Sequence, residues 1–287
     1  MRQTTRYLRT VCLTVSLIAS ICPVLPESAP GRFPGDCPGL DSIYIGGCCA
    51  SSLEACLKRI PPCPMAVRLG AFASWIDTLT PAEPCSTRVA AIAARYAFFT
   101  DTTKFAIDYG PVTFVGAPGS PGTIILYVSA ICPLCKRVYK GLYAEVTAGS
   151  LRGIARLGIK VRSSRSWDLA LLAARRVGKQ SALFLSLADV EERVSMSVIR
   201  KKAAGIGLSR RLLDSLSADS SLIREANYSV GEAKQNEVTL TPTIFINCRR
   251  YGSYKDPQWI ADAARYSCES GSLPESGFPS GQSRGVR

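Results

Sequence analysis

Cys132 and Cys135 enclose Pro133 and Leu134, and a C-x-x-C pair of this kind can do three sorts of chemistry. It can be half of a zinc site, a structural disulfide or a reversible dithiol–disulfide couple. The rest of the chain argues against zinc. Its 287 residues include no histidine, and no second C-x-x-C completes four ligands. The same absence rules out a Ser-His-Asp triad, a Cys-His nucleophile pair and any histidine-ligated metal. The surroundings of the pair favour redox chemistry. Cys132 follows an apolar run from Thr123 to Ser129, and Pro133 suits the first position of a helix. Cys132 would then sit at a helix N-terminus, where unpaired N–H groups and the dipole favour a thiolate. Lys136 and Arg137 add positive potential one turn on. Cys135 is near enough for a disulfide but more buried. These positions make Cys132 the nucleophile and Cys135 the resolving thiol, with no cofactor required.

The elements that must hold this pair can be read on both sides of it. Thr123 to Ser129 reads as a strand buried on both faces, and a helix follows to about Val146. Gly158 to Val161 reads as a second strand, the two joined in a β-α-β unit. Residues 166–236 contain helices and no convincing strand. Strand pattern returns at Thr243 to Asn247 and at Arg250 to Tyr254, as a hairpin. A last helix starts at Pro257 and runs to about Cys268. Upstream, residues 32–110 are cysteine-rich and helical by pattern. Ser51 and Ser52 precede a short helix, Pro64 opens a second with Leu69, Phe72 and Ile76 on one face, and Ser86 can cap a third. The Ser-, Gly- and Pro-rich stretch 269–287 reads as a disordered tail.

A second chemical feature, Thr241-Pro242-Thr243, lies immediately before the returning strand. C-P-x-C after the first strand, a helical insertion, T-P-T-I-F-I-N and then R-R-Y-G together resemble the DsbA-like branch of the thioredoxin superfamily. The resemblance covers about residues 112–268. It implies an α/β thioredoxin fold with a helical insertion at 166–236, within a domain at 111–268. It also implies a cis Thr241–Pro242 peptide facing the C-x-x-C helix, with the Thr241 backbone pairing with an extended substrate beside Cys132. Two departures accompany it. DsbA has a histidine between its cysteines where this chain has Leu134, which cannot stabilise a thiolate. The Cys132 pKa should therefore be less depressed and the couple less oxidising. Many relatives also carry a buried acid in the first strand, whereas Ile124 to Val128 contains none.

The N-terminus places this chemistry outside the cytosol. Arg2, Arg6 and Arg9 precede an apolar stretch from Val11 to Leu25, too short for the roughly 20 residues of a membrane span. Residues 1–31 read as a signal peptide directing the chain to the periplasm or another extracytoplasmic space, the alternative being an uncleaved membrane anchor. Of 12 cysteines, Cys12 and Cys22 fall in this leader, and the others fit an oxidising compartment. The strand from Arg250 covers about 13 Å and the helix from Pro257 about 18 Å in the reverse direction. Their ends should meet, which suggests a Cys248–Cys268 disulfide. Cys37, Cys48, Cys49, Cys56, Cys63 and Cys85 allow 15 pairings, either stapling a helical cap or relaying electrons to Cys132. A net charge of +13 is scattered without aromatic interleaving, so nucleic acid is not an expected partner. The expected partners are cysteine-containing exported proteins and a membrane-bound or soluble redox protein that recycles the pair. The competing class is a non-enzymatic binding or assembly protein on a thioredoxin scaffold.

Overall fold

The computed structural model describes residues 43–45, 51–79, 83–101, 103–190, 194–252 and 255–269. The leader at 1–31, the cysteines at 12, 22, 37, 48 and 49, and the tail beyond 269 lie outside the described residues. A short antiparallel pair, β1 (Tyr44–Ile45) and β2 (Ser51–Ser52), leads into α1 (Leu53–Leu57). The Ser52 hydroxyl caps α1 by accepting from the Ala55 amide at 3.2 Å. Two longer helices follow, α2 (Pro64–Leu79) and α3 (Cys85–Thr100), then the edge strand β3 (Phe114–Val115).

Next comes the unit that carries the cysteine pair: β4 (Gly122–Val128), α4 (Pro133–Thr147) and β5 (Ala155–Val161). Every residue of β4 is buried, as its unbroken apolar run requires of a central strand. It pairs parallel with β5, Leu126 opposite Ile159 and Tyr127 opposite Lys160. Five helices form the insertion: α5 (Ser166–Arg176), α6 (Gln180–Ala188), α7 (Met196–Gly205), α8 (Arg210–Ser217) and α9 (Ser220–Gln235). The chain then returns as β6 (Thr243–Ile246) and β7 (Arg249–Tyr251) and ends in α10 (Pro257–Glu269). The sheet order is β3-β5-β4-β6-β7, with β6 antiparallel to β4. β5 begins three residues earlier than its pattern suggested. β3 was not expected, because two residues are too few to show a period.

Alternation along β4 divides the interior. Ile124, Leu126 and Val128 share one apolar cluster with Cys135, Val138 and Leu142 of α4 and Ile260 and Ala264 of α10. Ile125 and Tyr127 face the other way, with Ile107, Ala233, Phe245 and Cys248. Helix α10 lies close against α4, where a side chain at Gly141 would come within 2.4 Å of Pro257 Cβ.

The N-terminal helices belong to the first of these clusters. Phe72 of α2 stacks on Phe99 of α3 at 4.2 Å and meets Tyr266 of α10 edge-on at 5.3 Å. Arg95 of α3, 1% exposed, donates to Asp262 at 2.9 Å and to the Trp259 carbonyl at 3.2 Å. Its guanidinium also stands 4.7 Å from the Trp259 ring centroid, a desolvated cation–π contact. Among the described residues no helix is long and apolar enough to cross a membrane.

The hairpin corrects one expectation. Asn247 (φ 49°) and Cys248 (φ 66°) are both left-handed, the geometry of a two-residue type I′ turn. Helix α10 does end beside this turn, with Cys268 Sγ 3.8 Å from Asn247 Nδ2. Cys248 is disulfide-bonded, but Cys268 takes no part in that bond. Strand parity is the reason. Cys248 turns to the Tyr127 face, 3.1 Å from the Tyr109 hydroxyl. Cys268 lies on the opposite face, where a Cβ at Gly122 would come within 2.5 Å of its sulfur. Cys56, Cys63 and Cys85 are disulfide-bonded as well.

Candidate active site

Cys132 is the N-cap of α4 (φ −79°, ψ 114°), and its Sγ accepts from the Cys135 amide at 3.2 Å. Pro133 occupies the first helical turn without leaving a donor unpaired, as the sequence required. The sulfur of Cys132 is half-exposed, while Cys135 is wholly buried among the core residues behind α4. Both are thiols, so the structure shows the reduced pair.

Opposite Cys132 stands the turn before β6. The Thr241–Pro242 peptide is cis, and the Cys132 thiol donates to the Thr241 carbonyl at 3.5 Å. A hydrogen bond from the Thr243 hydroxyl to the Leu240 carbonyl at 2.7 Å fixes this turn. Cys132, Cys135, Thr241 and Pro242, 109 residues apart across the C-x-x-C and the turn, therefore form one site. Pro133 is exposed at its edge, and Leu134 packs against the core. Leu240 (73% exposed) and Ile131 (36% exposed) give the neighbouring surface an apolar character. Cys248 and Cys268 lie elsewhere, at the other end of β6 and of α10.

The two thiols are driven apart in acidity. The Cys132 pKa is lowered to about 6, chiefly because the Cys135 thiol donates to its sulfur, with backbone N–H groups of the first helical turn assisting. Partial burial opposes this without cancelling it. Burial pushes the Cys135 thiol well above the usual range, and donating to Cys132 pushes it further. A value near 6 lies between thioredoxin-like and DsbA-like nucleophiles, at about 7 and 3.5. It fits a pair whose intervening Leu134 contributes its backbone N–H but no side-chain hydrogen bond. Lys136, 4% exposed, faces the thiolate favourably, although burial lowers its own pKa.

A testable pH dependence follows. Alkylation of Cys132 in the reduced protein should show a rate midpoint near pH 6, with Cys135 unreactive across the neutral range. The potential of the couple should fall with pH about half as steeply above pH 6 as below it. Above that point reduction takes up one proton rather than two, because Cys132 stays a thiolate. A midpoint near pH 8.5 would show that the helix terminus does not hold the thiolate.

Sequence reasoning missed Asp168, in the first turn of α5. Its carboxylate is fully buried and accepts from the Ala130 amide at 2.8 Å and the Ser129 hydroxyl at 3.0 Å. Those two residues are the first two of the three that join β4 to Cys132. Nothing in the run Ser166-Trp167-Asp168 announced this position, since the contact spans 38 residues.

A helix N-terminal C-x-x-C on a βαβ unit, facing a cis-proline turn across a mixed sheet, defines a thioredoxin-fold dithiol protein. The chain belongs to the thioredoxin family, whose profile, described as Thioredoxin, matches residues 109–263. Its helical insertion between β5 and β6 stands where the resemblance to the DsbA-like branch implied. No curated protein matches the chain. Similar solved structures include a thioredoxin-like oxidoreductase from Silicibacter pomeroyi, 18% identical over 54% of this chain and 90% of that one, at a TM-score of 0.47. BdbD from Bacillus subtilis is 14% identical over 57% and 96% of the two chains, at 0.47. The catalytic domain of Proteus mirabilis ScsC is 14% identical over 61% and 96%, at 0.46.

Proposed function

We propose that the protein is a thiol–disulfide oxidoreductase that exchanges disulfides with cysteine-containing exported proteins. The observation that carries this reading is the division of labour within the pair: an accessible, acidic Cys132 sulfur covered by a buried Cys135 thiol of opposite tendency. In the oxidised form a substrate thiolate attacks Cys132. The Cys132–Cys135 bond breaks, a mixed disulfide forms, and Cys135 leaves as a thiolate that takes up a proton. A second substrate thiolate then attacks the substrate sulfur and releases Cys132. In the reducing direction Cys132 attacks a substrate disulfide and Cys135 resolves the product. The half-buried Thr241, beside Cys132 in the turn at Pro242, offers its main chain for pairing with an extended peptide. The leader at 1–31 sends this chemistry to an extracytoplasmic compartment, where a further redox protein recycles the pair.

The test is insulin reduction by the dithiothreitol-reduced protein, with Cys132→Ser as the control. Reduction by the wild type that vanishes in Cys132→Ser supports the assignment. Equal activity in both defeats it. No activity in the wild type, in either the reducing or the oxidising direction, would make the fold a binding scaffold.

A further inference from the structure

The net charge of +13 is scattered along the chain, but the fold gathers part of it around the cysteine pair. Helix α4 presents Pro133, Arg137 and Lys140 on one exposed face, since residues three or four apart are neighbours on a helix. Lys140 is held by Asp189 at 2.6 Å. Arg137 is in no ion pair among the described residues. Five residues separate it from Cys132, so it stands about 7.5 Å further along the helix axis.

Two more exposed arginines approach from the other side. Arg162 follows β5, and its amide donates at 3.2 Å to the carbonyl of Val128, the last residue of β4. Its Nε donates to the Val238 carbonyl at 3.1 Å, three residues ahead of Thr241. The guanidinium therefore lies between the ends of the parallel strands and the turn that faces Cys132, with its two terminal nitrogens left for a ligand. Arg165 precedes α5, whose Asp168 reaches the Ala130 amide at 2.8 Å. Its guanidinium stands 5.3 Å from the Trp167 ring centroid. Three cations thus converge on the loop that carries Cys132.

We propose that this rim selects peptides whose reactive cysteine is flanked by acidic residues, with Arg137, Arg162 and Arg165 as the specificity-determining groups. The inference rests on the function proposed above and adds a substrate class to it. Among the described residues, the carboxylates on the framing elements are committed elsewhere. Asp168 is fully buried, Asp189 is engaged by Lys140, and Glu237 pairs with Arg250 at 3.9 Å. On α4 itself, Glu145 is at the far end, bonded to the Ser150 amide.

The reach is right for side chains near the cysteine. A peptide extended along the Thr241 turn advances about 3.3 Å per residue, so positions two or three from its cysteine come level with Arg137. Guanidinium groups bind carboxylates through paired, charge-assisted hydrogen bonds. A rim of one sign also concentrates ligands of the other and repels those of its own. Ile131 and Leu240, both exposed, supply apolar contact that any peptide can use, so the arginines carry the discrimination.

The test uses three peptides that differ only at the positions two before and two after a single cysteine, which carry Asp, Asn or Lys. Each cysteine is activated as its 2-thiopyridyl disulfide. Cys132 thiolate attacks the peptide sulfur, the bond to the thiopyridyl group breaks, and pyridine-2-thione leaves with a proton and is read by absorbance. Rates with the reduced protein are divided by rates with 2-mercaptoethanol, which removes the peptides' own differences in reactivity. At about 10 mM salt, where the Debye length is about 30 Å, the Asp peptide should react about 10-fold faster than the Asn peptide, the low end of electrostatic focusing. The Lys peptide should be the slowest. At about 1 M salt, with a Debye length of about 3 Å, the three rates should converge. Arg137→Glu with Arg165→Glu should reverse the order at low salt. Equal rates for the three peptides in the wild type at low salt overturn the proposal, whether or not the variant folds. An Asp preference undiminished in the double variant overturns it too. Failure of the function itself looks different, as no thione release with any peptide or release that survives in Cys132→Ser.

Discussion

Alanine in place of Cys135 is expected to stop the reaction at the mixed disulfide, leaving substrate proteins covalently joined to Cys132. In the wild type Cys135 sits one helical turn away, and its amide is already 3.2 Å from the Cys132 sulfur. A thiol held in this way acts at an effective molarity far above that of millimolar free thiol, so release should slow by at least about 10³-fold. Non-reducing gels of the reduced variant mixed with unfolded, disulfide-bonded protein should show thiol-sensitive adducts that mass spectrometry maps to Cys132. A second effect accompanies the first. The Cys135 thiol is the main cause of the low Cys132 pKa, so the alkylation midpoint should move upward from pH 6 in the same variant. A variant that forms no adduct would show that Cys132 does not attack substrate disulfides.

The second large effect concerns stability. Lys160 of β5 and Glu232 of α9 meet at 2.6 and 2.8 Å with side chains 2% and 6% exposed. Lys160 also donates to the Asp108 carbonyl at 2.7 Å, and the Tyr127 hydroxyl donates to Glu232. Lys160→Met would leave the Glu232 carboxylate buried without its cation, at a cost of about 3–5 kcal/mol. For a chain of this size the Tm should fall by roughly 10 °C. Replacing the whole group, Lys160→Met with Glu232→Leu and Tyr127→Phe, should recover a large part of that loss, because no charge is then stranded. Recovery should be incomplete, since the Asp108 amide, 3.0 Å from Glu232, loses its acceptor. Thermal unfolding of the single and triple variants checks the order. A Lys160→Met protein as stable as the wild type would show that the pair does not hold α9 to the sheet.

How much of this was legible in the sequence depends on the range over which each feature is encoded. β4 and the start of α4 could be read directly. A seven-residue buried run and a proline after the first cysteine are local signals, and the structure matches them within a residue. The turn at Thr241-Pro242 became meaningful only through resemblance, since nothing local in a Thr-Pro dipeptide says that it faces a cysteine 109 residues away. Nothing local pairs Glu232 with Lys160, since the two lie 72 residues apart in the chain. Asp168 was invisible for the same reason. The clamp expected between Cys248 and Cys268 failed at a subtler level. The helix length and strand length placed the two backbones correctly, but alternation sends the side chains to opposite faces.

Arg95 fixes more than a neighbouring helix. The chain from α3 through Arg95 to Trp259 and Asp262, and from α10 across Gly141 to α4, runs from the N-terminal helices to the element that presents Cys132. The family profile begins at residue 109, yet the apolar cluster does not begin there. It already includes Phe72, Ile92 and Phe99. The boundary of the family profile is therefore not a boundary in the packing. A fragment trimmed to the shared portion would bare the side of α10 that carries Tyr266, and the helix behind the cysteine pair would lose its backing. In this protein the N-terminal helices serve as a splint for the frame that presents the cysteine pair.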